Sequence, residues 1–74
     1  MRKVLIYSTR ICPYCVRAKN FFNKKNIDYT EIMIDQDPSL ITEMVEKSGR
    51  QSVPQIFIGD YHVGGFDDLS LIHI

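Results

Sequence analysis

Apolar residues first gather in one short unbroken run, "KVLIYS" at 3 to 8, whose β-branched and aromatic content reads as a buried strand. From Pro13 to Asn26 the period lengthens. Cys15, Ala18 and Phe22, helped by Phe21, share one helical face, while Arg17, Lys19, Asn20, Asn23 and Lys24 cover the other. "YTEIMI" at 29 to 34 then alternates as a second strand, so strand, helix and strand form a right-handed crossover between parallel neighbours. Asp37 before Pro38 marks a helix start. Leu40, Ile41, Met44 and Val45 supply its apolar stripe, and Gly49 ends it. "QIFIG" at 55 to 59 and "YHVGG" at 61 to 65 read as a hairpin turning at Gly59-Asp60, after which Asp67 or Asp68 can cap a last helix. The order β-α-β-α-β-β-α predicts an α/β sandwich: a four-stranded mixed sheet with helices on both faces.

Composition narrows what such a sheet can serve. Seventy-four residues make one domain, 1–74, with no repeat, linker or low-complexity tract. Nine basic side chains balance nine acidic ones, which removes the overall field that would draw the chain to nucleic acid or an anionic membrane. The basic cluster at 17 to 25 and the acids from Asp28 to Glu46 read as solvated faces. "MRKVLIY" has too short an apolar run for a signal-peptide core or a membrane span, so export is not indicated and a cytoplasmic location is expected.

The chemistry lies in "CPYC" at 12 to 15. Two cysteines are half a zinc site, and His62 and His73 lack the spacing to complete one. A structural disulfide closing so short a loop adds little stability. Position favours reactivity instead. Cys12 follows a strand end and precedes Pro13 at a helix start, where unpaired N–H groups and the positive end of the helix dipole favour thiolate. Such settings lower a thiol pKa from about 8.5 to about 3.5–7.5. Arg10 and Arg17 are secondary sources of positive charge. Cys15, one turn in and beside Ala18 and Phe22, is expected to be more buried and less acidic, so an exposed thiolate attacks and an inner thiol resolves. Two unremarkable cysteines on a helix remain the alternative reading.

Three motifs in register, "CPYC" at 12 to 15, "SVPQIFI" at 52 to 58 and "GGFDDL" at 64 to 69, resemble a glutaredoxin of the small dithiol bacterial kind. The resemblance runs from about Val4 to Leu69 and implies a thioredoxin fold. Position by position it implies Cys12 as nucleophile, Cys15 as resolving thiol and Tyr14 in contact with glutathione. It also implies a cis peptide between Val53 and Pro54, with the Val53 backbone pairing with glutathione as an added strand. Gly65, Phe66 and Asp67 would hold the γ-glutamyl end, and Arg50 would face the glycyl carboxylate. Gly64 and Gly65 read equally well as relief of the backbone after a strand. Asp68 reads first as a helix cap.

The implied activity is glutathione-dependent reduction of protein–glutathione mixed disulfides and protein disulfides. The resemblance implies glutathione as the reductant with no tightly bound cofactor, and a monomer is expected. A glutathione-ligated [2Fe-2S] dimer is the alternative, against which Pro13 argues; an inactive fragment is a third. Two positions depart from the family pattern. Thr9 stands where lysine is frequent, leaving Arg10 to supply the charge, and "SLIHI" at 70 to 74 reads as a truncated or non-native end that shortens the final helix and exposes apolar sheet surface. His62 is expected to face solvent, and His73 to lie in a disordered end.

Overall fold

A computed structural model describes residues 3–69; the sequence readings of His73 and of the tail from Ser70 fall outside the described residues. The elements run β1 (Val4–Ser8), α1 (Pro13–Lys24), β2 (Thr30–Met33), a 3-10 turn (Ile34–Gln36), α2 (Pro38–Ser48), β3 (Gln55–Ile58), β4 (Tyr61–Gly64) and α3 (Phe66–Leu69). The sheet order is β2-β1-β3-β4, with β1 and β2 parallel and the other neighbours antiparallel. This is the mixed four-stranded sheet that the hydrophobic pattern predicts.

Element boundaries follow local chemistry. α1 stops at Lys24, two residues early, because Asn26 takes a left-handed φ of 57° and turns the chain toward β2. β2 ends at Met33, and Ile34 turns its side chain into the core from the 3-10 turn. Asp37 caps α2 by accepting the Ser39 N–H at 2.9 Å, Pro38 occupies its first turn, and Gly49 closes it at φ 72° with its N–H on the Val45 carbonyl. The two-residue turn places Gly59 at φ 60°, which suits a glycine at the first central position of a hairpin.

Each face of the sheet carries its own core. α1 and α3 press Ala18, Phe22 and Leu69 onto Val4, Ile6, Ile56 and Val63. On the other face Met44 of α2 joins Tyr7, Ile34 and Phe57, with Leu40 packed beside them. Ile41 departs from the expected stripe: it is 42% exposed, because α2 meets the sheet along a narrow line through Leu40 and Met44.

Polar ties cross both layers. The Tyr7 hydroxyl donates to Glu43 at 2.6 Å, and burial together with that carboxylate pushes the phenol pKa up. Ser8 Oγ donates to Glu31 at 2.6 Å, and Lys19 Nζ of α1 lies 2.7 Å from the same carboxylate oxygen. Burial alone would push the Glu31 carboxyl up, but Lys19 and Ser8 outweigh it and the group ends below its ordinary value of 4.5. A carboxylate held low contributes its stability in full above its unfolded value and loses it as the pH falls through the folded one. Glu31→Gln is therefore expected to cost about 1 kcal/mol at pH 7. In thermal melts across pH 7 to 3, the gap between wild type and variant should close below pH 4.5; a gap that stays constant would remove the ion pair from the account.

Candidate active site

β1 and β3 run antiparallel with Tyr7 opposite Gln55, so the exit of β1 and the entry of β3 meet at one end of the sheet. Cys12 follows the first and Pro54 precedes the second. Cys12 is the N-cap of α1 in an extended conformation, φ −153° and ψ 97°, with Pro13 in the first turn. Its Sγ accepts the Cys15 N–H at 3.1 Å, so sulfur fills the place that a serine or aspartate oxygen usually takes at a helix start.

The two sulfurs are joined as a disulfide across a Cα–Cα distance of 5.2 Å. Cys15 has no exposed surface and shares the inner face of α1 with Ala18 and Phe22. Cys12 is 9% exposed, so the expected asymmetry is present, but the outer sulfur sits in a recess rather than standing clear. Its sulfur has the bonded Cys15 sulfur on one side, and the Val53 carbonyl oxygen lies 3.8 Å away. The Val53–Pro54 peptide is cis, as the resemblance implies. Among the described residues, no three His, Cys, Asp or Glu side chains converge as a metal site requires.

Beside this sulfur opens a cavity of about 230 Å³, lined by Tyr14, Arg50, Ser52, Val53, Pro54, Gln55, Gly65, Phe66, Asp67 and Asp68. The rings of Tyr14 and Phe66, both in its wall, form a tilted pair with centroids 6.5 Å apart. Seven residues that the resemblance assigns to glutathione thus come together from three segments distant in sequence. Arg10 does not join them. Its backbone N–H and guanidinium both bond Asp35 at 3.2 Å, and that N–H first, then the guanidinium, hold the Asp35 carboxyl below the usual carboxylate range. Arg17 is likewise engaged, its guanidinium 5.2 Å above the Tyr14 ring. The donor that the structure shows on the Cys12 sulfur is the helix-terminus N–H of Cys15. A larger cavity, about 420 Å³, lies by the start of β1 and is lined by Lys3, Val4 and residues 26 to 30, away from both cysteines.

The β4–α3 corner assigns different duties to its two glycines. Gly64 has φ 112°, and a Cβ there would strike the Asp68 carboxylate and come within 3.3 Å of Arg50 Nη1. Gly65 would meet only the Pro54 carbonyl at an ordinary 3.7 Å. Asp68 reaches back to accept the Gly65 N–H at 3.0 Å, the return bond of a capping box, and lies 3.6 Å from Arg50. Arg50 and Asp68 thus line the same cavity as an ion pair.

His62 corrects a reading from sequence. It is half-buried, its ring stacks on Phe57 at 4.8 Å, and its Nε2 lies 2.8 Å from Gln55 Oε1. Cross-strand pairing with Phe57 turns it over the sheet instead of toward solvent. Burial and the Arg50 charge hold its pKa below the usual range, with Asp68 pulling the other way. Ser52 and Gln55 were not singled out by sequence reasoning. The one available signal is a polar residue opening an otherwise apolar strand straight after Pro54.

With this geometry in place, comparison with known proteins is specific. A family model described as Glutaredoxin matches residues 4–63. A glutaredoxin of Pseudomonas aeruginosa is 51% identical over 69 residues, covering 93% of this chain and 82% of that protein. The solution structure of glutaredoxin from Brucella melitensis matches with a TM-score of 0.81 at 50% identity, over 95% of this chain and 76% of that one. A crystal structure of a buckwheat glutaredoxin–glutathione complex matches with a TM-score of 0.84 at 29% identity, over 93% of this chain and 66% of that one. The sheet and its flanking helices are those of the thioredoxin fold.

The glycine geometry yields a paired outcome. Gly64→Ala forces Asp68 and Arg50 apart at a backbone angle that side chains rarely adopt, and is expected to destabilise by more than 1 kcal/mol in urea unfolding. Gly65→Ala is expected to stay within about 0.5 kcal/mol of wild type. Equal stabilities for the two variants would contradict the assigned roles.

Proposed function

This chain belongs to the glutaredoxin family, whose fold and paired cysteines make it a thiol-disulfide oxidoreductase, and we propose that it draws its electrons from glutathione. The observation that carries the reading is the Cys12 sulfur, held by the Cys15 N–H at a helix start and opening beside a cavity that gathers seven of the expected contacts. A relative solved as a glutathione complex supports the choice of reductant.

In the proposed cycle, Cys12 thiolate attacks the glutathione sulfur of a glutathionylated protein. A bond forms between Cys12 and glutathione as the bond to the protein sulfur breaks, and the protein departs as a thiolate that takes up a proton. A second glutathione thiolate then attacks the mixed disulfide, releasing Cys12 and leaving oxidised glutathione with the two electrons' worth of oxidation. For a protein disulfide, Cys15 attacks the intermediate that Cys12 forms, giving the Cys12–Cys15 bond of the structure, which two glutathiones reduce. Helix N–H groups favour the attacking anion and the returning leaving group alike, each pKa unit being worth about 1.4 kcal/mol.

Around this sulfur, Tyr14 and Phe66 supply apolar walls, and the Val53 backbone lies where an extended tripeptide can pair with it. Arg50, more than half exposed, is the cation for a ligand carboxylate, with Asp67 at the ammonium. The cycle needs no tightly bound cofactor, runs in a reducing compartment such as the cytoplasm, and requires one chain.

The test is glutathione-dependent reduction of a small glutathione mixed disulfide by wild type, Cys12→Ser and Cys15→Ser. Loss of turnover is expected in the first, and largely intact deglutathionylation in the second. Similar losses in both, or a Cys12 thiol titrating near 8.5 in the reduced protein, would overturn the proposal.

A further inference from the structure

The side chain of Gln55 is 1% exposed, yet it opens β3 at the edge of the cavity. A buried amide must place both its donors and its acceptor, and here the partners decide its orientation. The Ser52 carbonyl can only accept, and it lies 2.9 Å from Nε2; Ser52 Oγ lies 3.3 Å from the same nitrogen. The amide oxygen therefore faces His62, and at 2.8 Å His62 Nε2 must be the donor. A directed chain results: His62 donates to Gln55, and Gln55 donates to Ser52.

The end of that chain lies beside the chemistry. The Ser52 carbonyl and the Val53 N–H belong to one planar peptide unit, and among the described residues the cis bond is the next one, Val53–Pro54. In a trans unit the N–H points opposite the carbonyl. Holding the carbonyl toward Gln55 thus aims the Val53 N–H away from it, on the residue whose own carbonyl lies 3.8 Å from the Cys12 sulfur. Residues 49 to 54 carry no helix or strand of their own; Val53 packs against the core that holds Tyr7 and Phe57, and the Gln55 side chain adds a directional tie from β3 to the Ser52 carbonyl. Stacking on Phe57 fixes the far end of the chain.

We infer that His62 is a positioning residue for the thiol ligand, acting through Gln55 to fix the Ser52–Val53 peptide beside the Cys12 sulfur; this rests on the function proposed above. His62 touches neither reacting atom. Its contribution is to orient a backbone donor that an extended peptide reaching Cys12 must pass.

His62→Phe keeps a ring for Phe57 and removes the donor, His62→Gln restores a donor, and Gln55→Leu breaks the chain at its middle. In the ligand-free protein, followed by amide NMR, His62→Phe is expected to shift the Val53 amide resonance and speed its hydrogen exchange, with His62→Gln closer to wild type. In turnover, His62→Phe is expected to raise the KM for glutathione roughly threefold to tenfold, about the worth of one hydrogen bond, with kcat within about twofold. In the Gln55→Leu background the same substitution is expected to change KM no further. An unaltered Val53 amide in folded His62→Phe overturns the chain itself. An altered amide with unchanged KM, or an equal KM effect in the Gln55→Leu background, overturns its role in positioning. Wild-type protein lacking glutathione-dependent turnover would overturn the proposed function, and the amide measurement distinguishes that failure because it needs no turnover.

Discussion

An α-helix begins with N–H groups that its own carbonyls cannot reach, and something must accept them. In this protein a sulfur does so, at 3.1 Å from the Cys15 nitrogen. That single contact makes demands on the rest of the chain. The helix must start where β1 ends, so the connection is short; it must not drift, so Ala18 and Phe22 are buried against Val4, Ile6 and Ile56. Proline in the first turn removes a donor that would otherwise need a partner of its own. The nearby arginines are engaged with Asp35 and Tyr14, and the donor that meets the sulfur is the backbone N–H of Cys15.

The sheet order supplies the second half of the site. Because β3 lies antiparallel to β1, the segment that enters β3 arrives where α1 begins, and the Val53 carbonyl comes against the sulfur. β4 then returns the chain to the same end and delivers Gly65, Phe66 and Asp67 across from Tyr14. Three segments of different character thus converge: a helix start, an irregular stretch before a strand, and a glycine corner. Only the corner depends on a glycine for space, at Gly64.

Much of this was legible in the sequence because it is carried by local rules. The strand of 3 to 8, the Asp37-Pro38 start and the Gly59-Asp60 turn each announce themselves through residues whose backbone preferences are strong. Resemblance added the cis peptide and the cavity residues, which spacing alone does not reveal. What could not be read were choices between partners. Arg10 is as near to Cys12 in sequence as a charge can usefully be, yet Asp35 competes for it across the sheet edge. His62 reads from sequence as a solvent-facing strand residue, but cross-strand stacking on Phe57 and a buried amide draw it inward. Ile41 fits a helical stripe, but α2 meets the core through Leu40 and Met44 and leaves it outside.

Cys12 shows only 9% of its surface. Sulfur attacks a disulfide along the axis of the bond it breaks, so three sulfur atoms must line up inside this recess. A sulfur carried on a thin, pliant chain meets that line with less rearrangement of its surroundings than one sunk in a rigid wall.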